Sequence, residues 1–99
     1  MGPDTVIRRA PDLAQRVFEG EMLVITARDG MLHRFNEVGT FIWRLLDNAM
    51  TVEAMVTAIS EAFSGFDPVK NWGDIERFLD ELRQKKLIVA AASDAGNRR

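Results

Sequence analysis

The spacing of the apolar residues changes at Asn36, and this change most constrains what the chain can fold into. Before Asn36, short β-branched and aromatic runs alternate with turn residues, a pattern typical of strands. After Asn36, apolar residues recur at intervals of three and four, which is the period of an amphipathic helix. Strands followed by helices predict an α+β domain of two layers, in which the helices pack on one face of the sheet.

Three short strands are predicted before Asn36, over residues 16–18, 22–26 and 31–35. The dipeptide Asp29-Gly30 lies between the last two, and it is a strong hairpin signal because both residues tolerate the positive φ of a tight turn. Glu19-Gly20 marks a second turn. We therefore predict a three-stranded antiparallel meander.

Three helices are predicted after Asn36. Asn36 caps the first helix, Thr51 caps the second, and the third begins near residues 71–74. Gly39 lies inside the first helix, where glycine is about 1 kcal/mol less favourable than alanine, so we expect a close approach to the sheet there. The first helix carries an apolar stripe with Trp43 beside it, which implies a second contact surface. The members of that stripe are Val38, Phe41, Ile42, Leu45 and Leu46.

The length of 99 residues fits one domain. We expect an N-terminal arm over residues 1–12 with one extended stretch near residues 5–8, a domain over residues 13–90, and a flexible tail over residues 91–99. No apolar run approaches the roughly 18–20 residues of a membrane span, and the N-terminus has no basic segment followed by an apolar core. The expected location is the cytoplasm, away from membranes.

Side chains that carry catalysis or bind metals are sparse. The chain has no cysteine and a single histidine, His33, which disfavours thiolate chemistry and a metal site. Glu76, Asp80 and Glu81 fall on the predicted solvated face of the third helix, and the glycines are too scattered for a phosphate loop. The sequence therefore predicts a protein that is not an enzyme and that needs no cofactor or metal.

The strand over residues 31–35 is a candidate sheet edge, whose unpaired backbone groups an extended peptide can use by adding as a further strand. The third helix supplies a candidate apolar wall, although the same residues equally fit a plain core. Two other functions stay open: a homodimer formed through the sheet edges, and a DNA-binding winged helix. The net charge of −2 and the acidic third helix argue against nucleic acid.

The segment Asn36-Glu37-x-Gly39, followed by Ile42-Trp43-x-Leu45-Leu46-Asp47, resembles the signature of the pyrroloquinoline-quinone biosynthesis protein D (PqqD) family. Thr51-Val52-Glu53 resembles the start of that family's second helix. Residues 78–83, with Lys86-Leu87-Ile88 after them, resemble its last helix and ending. The chain departs from the family at Phe35, where leucine is more usual, and at Lys85-Lys86, which replaces a common glycine.

The resemblance implies a winged helix-turn-helix-like fold and a recognition element for ribosomally synthesised, post-translationally modified peptides. Such proteins bind the leader segment of a precursor peptide as an added strand and deliver it to a maturase, commonly a radical S-adenosylmethionine enzyme. The carried-over positions for the binding strand are Met31, Leu32, His33, Arg34 and Phe35. Those for the groove wall on the third helix are Ile75, Phe78, Leu79 and Leu82, with Arg83 available for an acidic leader group.

Overall fold

The computed structural model describes residues 2–91, which form two three-stranded antiparallel sheets and three helices. The α+β class and the three helices confirm the sequence prediction. The elements, in chain order, are β1 (Val6–Arg9), β2 (Leu13–Phe18), β3 (Glu21–Thr26), β4 (Leu32–Phe35), α1 (Glu37–Leu45), β5 (Met50–Thr51), α2 (Val52–Ala62), α3 (Trp72–Gln84) and β6 (Ile88–Ala91).

The predicted meander is the sheet β2-β3-β4, in which β3 is the central strand. Its two turns are built as the sequence indicated, because Gly20 and Gly30 both adopt positive φ, at 82° and 69°. Asp29 stabilises the second turn: its carboxylate accepts hydrogen bonds from the Thr26 hydroxyl and, at 3.1 Å, from the Met31 N–H. These two turns bring β4 to one outer edge of the sheet.

The second sheet, in the order β5-β1-β6, differs from the single sheet that the sequence predicted. Strand β1 lies within the segment predicted as an N-terminal arm, and its residue Ile7 is fully buried. Along β1, Val6 pairs with Ala91 and Arg9 pairs with Ile88. The extended stretch predicted near residues 5–8 corresponds to β1, but strands of two to four residues are too short to show a hydrophobic period, so the sequence does not reveal this second sheet. The remainder of the predicted tail, residues 92–99, lies outside the described residues.

The first two helices begin at the predicted caps. The Asn36 side chain accepts a hydrogen bond from the Gly39 N–H at 2.8 Å, and the Thr51 hydroxyl accepts one from the Ala54 N–H at 3.1 Å. Helix α3 ends with a bond from the Leu87 N–H to the Leu82 carbonyl at 2.9 Å, which closes the last turn.

The buried face of α1 is rotated around the helix axis relative to the predicted apolar stripe. Trp43, placed beside the stripe, is buried, whereas Val38, placed on it, is exposed. The Trp43 ring lies 5.6 Å from that of Phe35, and its indole N–H donates to the Gln15 side chain at 2.8 Å. The second contact surface that Trp43 indicated is therefore the contact between α1 and the meander.

Candidate functional site

Strand β4 is an open edge of the meander within residues 2–91, because it pairs only with β3. The Thr26 N–H donates to the Met31 carbonyl at 3.0 Å, and this bond sets the phase of the ladder. In an antiparallel pair, alternate residues turn both backbone groups toward the partner strand. His33 therefore faces β3, while the N–H and C=O groups of Leu32 and Arg34 face away from the sheet.

The far end of β4 is closed by a side chain of α1. The Thr40 hydroxyl accepts a hydrogen bond from the Met22 N–H at 3.2 Å and donates one to the Phe35 carbonyl at 3.3 Å. It thus bridges β3 and β4 where the strands part, and it fixes α1 at the end of the edge. Sequence analysis missed this role, because Thr40 lies opposite the predicted apolar stripe of this helix, where a polar residue is expected.

Helix α3 meets the end of β4 through Phe78. The Phe78 ring meets the Phe35 ring edge-on, with centroids 6.1 Å apart. A Cβ atom on Gly39 would lie 3.1 Å from the Phe35 Cβ and 3.4 Å from the Phe78 ring, so glycine permits α1, β4 and α3 to meet. The predicted close approach at Gly39 is thus to the end of β4 and also to α3. We call the surface between Leu32, Arg34 and Phe78 the β4–α3 groove.

Three of the four predicted wall residues lie in the core. Leu79 is fully buried, and Ile75 and Leu82 are nearly so, while Phe78 is only half-buried. The first three share the inward face of α3, as their spacing of four and three residues requires. A domain of this size needs them for its core, so a guest chain can reach only Phe78 among the four.

Arg83 does not lie beside β4. It is five residues after Phe78, or about 140° further around the helix, which turns it toward the opposite flank of α3. There it forms an ion pair with Asp80 and lies near Ala90 of β6. The helical phase therefore turns Arg83 away from Phe78, and its contact with an acidic leader group stays a prediction.

The carried-over strand residues present a mixed surface. Met31 and Leu32 are exposed, His33 is half-buried, and Phe35 is buried against Trp43. The His33 Nε2 atom is buried without a hydrogen-bond partner. The Arg34 Nε donates to the Glu21 carboxylate at 2.7 Å in an exposed ion pair.

Two hydrogen-bonded carboxyl groups flank this region. The Thr26 hydroxyl and then the Met31 N–H lower the pKa of Asp29 at the tip of the hairpin. On α3, the Asn71 amide and then Arg77 lower the pKa of Asp74. Both carboxylates remain charged near neutral pH, since hydrogen bonds to the charged form favour it.

The described part of the chain holds no group of three side chains placed to bind a metal ion. Among its helices, none is both long enough and apolar enough to cross a membrane. What the site offers is therefore a row of outward backbone donors and acceptors beside a partly apolar helix flank, which suits a hydrogen-bonded extended chain.

Comparisons with known proteins agree with this geometry. A family model described as "Coenzyme PQQ synthesis protein D (PqqD)" matches residues 21–88, which is more than half of the chain. The solved structure "TbiB1 in Complex with the TbiA(beta) Leader Peptide" superposes with a TM-score of 0.74 at 25% identity, over 82% of this chain and 93% of that one. No curated protein matches the chain by sequence. The match over residues 21–88, together with the shared fold, shows that the chain belongs to the PqqD family.

Proposed function

We propose that this protein binds the leader segment of a ribosomally synthesised precursor peptide, which adds as a strand to β4, and that it presents the precursor to a maturation enzyme. The observation that carries the proposal is the open β4 edge, with the backbone groups of Leu32 and Arg34 turned outward. Its support is the similarity to TbiB1, whose structure was solved with a leader peptide.

Both backbone groups and side chains of the β4–α3 groove contribute to binding of the guest strand. Leu32 and Arg34 each offer one donor and one acceptor, and a guest strand uses these groups without regard to its sequence. Guest side chains on the inner face meet Phe78 and the half-buried His33, which supply selectivity. Phe35 fixes the end of the strand, Met31 extends it, and Ile75, Leu79 and Leu82 support Phe78 from behind.

The protein acts as a non-catalytic carrier in this proposal. In this proposal the carrier needs no cofactor, and the chemistry belongs to the maturase, for which a radical S-adenosylmethionine enzyme is the first candidate. We propose a cytoplasmic location, where ribosomally made precursors are first available. Nucleic acid and membranes are not proposed partners.

The test is an amide-shift titration of the full chain with synthetic leader segments of the precursor peptides encoded beside its gene. Binding by strand addition will shift the amides of residues 31–35 and of Phe78 most strongly, and new protection from hydrogen exchange will appear at Leu32 and Arg34. Shifts that map instead to β2, or no binding by any of these peptides, would overturn the proposal.

A homodimer is the second candidate, because β2 is also an open edge of the meander and carries the exposed side chains Val17 and Phe18. Exposed edges with apolar side chains template pairing between chains. Sedimentation with and without the leader segment separates the two: a dimer that persists at micromolar concentration and ignores the peptide supports this second function.

A further inference from the structure

A second concave surface lies beyond the hairpin end of β4, between the β3–β4 turn and the second sheet. It is a crevice of about 710 Å³, and its floor includes Leu13, Ile88 and Val89. Its rim carries four cationic side chains: Arg28 from the turn, and Arg83, Lys85 and Lys86 from the end of α3. We call this surface the cationic crevice.

The cations of the crevice are largely unpaired. Arg83 has a partner in Asp80, but within residues 2–91 no carboxylate forms an ion pair with Arg28, Lys85 or Lys86. Asp29 also lines the crevice, yet its carboxylate is engaged by the Thr26 hydroxyl and the Met31 N–H. The β3–β4 turn and the end of α3 therefore bring three cations that have no ion-pair partner within residues 2–91 to one crevice.

Lys86 occupies a backbone position that favours glycine. Its φ of 67° is left-handed, and it follows the last turn of α3, where glycine is the usual residue because it has no Cβ to crowd the backbone. Strained positions of this kind are commonly found at functional sites. The lysine thus adds a cation to the crevice where glycine would suit the backbone better.

The crevice also contains an open strand edge. The Ala10 N–H donates to the Leu87 carbonyl at 3.0 Å, which sets the phase between β1 and β6. Ile88 and Ala90 therefore turn their backbone groups away from β1, toward the crevice that they line. Strand β6 pairs with no other strand among residues 2–91, so an extended chain can pair with it.

The crevice lies at the hairpin end of β4, because residues of the β3–β4 turn line it. Lys85 lies seven residues, about two turns, after Phe78, so both project from the same flank of α3. The crevice also begins at Arg28 and Asp29, on the turn that leads into β4. A strand bound along β4 that continues past Leu32 therefore reaches the cationic crevice.

We propose that the cationic crevice binds an acidic, extended segment of the precursor peptide, adjoining the segment that adds to β4. The inference rests on the proposed function and deepens it, since it names a second contact and the charge of the peptide there. A leader read by this protein combines a strand-forming stretch with a neighbouring run of Asp or Glu.

A peptide fits this crevice better than a nucleic acid does. Asp12 and Asp29 stand among the cations on its lining, and Asp80 and Glu81 lie close by on α3. These carboxylates would repel a continuous phosphate backbone. A peptide can place its acidic side chains at the cations and its backbone at Ile88 and Ala90.

The experiment uses the full chain at low ionic strength with hexaglutamate as the probe and hexaglutamine as the uncharged control. Hexaglutamate is expected to shift the amides of Arg28, Lys85, Lys86 and Ala90, and its binding will weaken as salt shortens the screening length. The double variant Lys85→Glu/Lys86→Glu should bind it at least about tenfold more weakly. Lys70→Glu, an exposed charge reversal outside the crevice, is the matched control and should bind it as the original chain does.

Lys86→Gly provides a second variant that keeps the fold, because it removes the charge and relieves the left-handed backbone. It should lower hexaglutamate affinity while leaving thermal stability equal or higher. Equal affinity in the double variant and the Lys70→Glu control would overturn the proposal, as would tighter binding of single-stranded oligothymidine than of hexaglutamate.

The two proposals fail separately. If hexaglutamate binds the crevice but no leader segment shifts residues 31–35, the proposed function falls and the anion site stands. If leader segments bind β4 with equal affinity whether their flanking acidic residues are kept or changed to glutamine, the crevice proposal falls and the proposed function stands.

Discussion

Strand addition at β4 can be tested by a pair of proline substitutions that differ only in the edge they block. Leu32 lies on β4 and Val17 on β2; both are aliphatic, and the two residues are 58% and 51% exposed. Each is a non-hydrogen-bonded residue in its pairing with β3, so its N–H faces away from the sheet. Proline at such a position removes no ladder bond, which is why edge strands tolerate it.

The expected loss follows from the backbone groups involved. Leu32→Pro removes one hydrogen bond to the guest strand, with a net contribution of about 0.5–1.5 kcal/mol. The proline ring also occupies the space in which the guest carbonyl would lie, which disturbs the neighbouring bond at Arg34. Together these effects cost about 1–3 kcal/mol, or a roughly 5- to 150-fold weaker affinity for the leader segment. Val17→Pro leaves β4 intact and should change the affinity by less than about twofold.

The assay is isothermal titration calorimetry of both variants with one synthetic leader segment, after urea unfolding has shown that each variant is folded. A large loss in Leu32→Pro alone supports strand addition at β4. Equal affinity in the two variants refutes the reasoning, and a loss confined to Val17→Pro assigns the guest to β2 instead.

Three further outcomes follow from the packing. Phe78→Ala should weaken leader binding by about 1 kcal/mol or more. Leu79→Ala should instead lower the free energy of unfolding by about 2–5 kcal/mol and weaken leader binding less than Phe78→Ala does; urea unfolding and calorimetry measure the two effects. Gly39→Ala should lower the melting temperature measured by circular dichroism, because crowding against Phe35, about 1–3 kcal/mol, exceeds the gain of about 1 kcal/mol in helix propensity. Asp29 has a lowered pKa in the folded state, so it contributes stability above about pH 4 that is lost as the pH falls through the folded pKa. Asp29→Asn should therefore flatten the acid limb of stability measured by urea unfolding between pH 2 and pH 7.

The meander and the helices could be predicted because their signals are local. Gly30 specifies a turn through its own backbone, and Asn36 and Thr51 cap helices through contacts three residues away. The second sheet could not be predicted in this way. Its strands bring residues such as Val6 and Ala91 together from opposite ends of the chain, and a pairing of that separation leaves no periodic mark.

The site could be predicted only in part, for a related reason. The sequence places Met31 to Phe35 on an edge strand, and the structure keeps that edge open. The sequence cannot show that Phe78 and Leu79 differ in burial, because both are apolar. The helical period shows which residues share a face of α3, but it does not show how much of that face the neighbouring elements cover. Burial settles the question: Leu79 fills the core and Phe78 remains at its rim.

The motif that identifies the family also explains how the edge is held open. The Asn36 side chain starts α1 by accepting from the Gly39 N–H, so the chain turns from β4 into the helix without extending the strand. The missing side chain of Gly39 then admits Phe35 and Phe78 to the same junction. With α1 fixed at the end of β4, the outer edge of β4 pairs with no other strand within residues 2–91. In the proposed function, the helix cap at Asn36 therefore sets one end of the edge to which the guest strand adds.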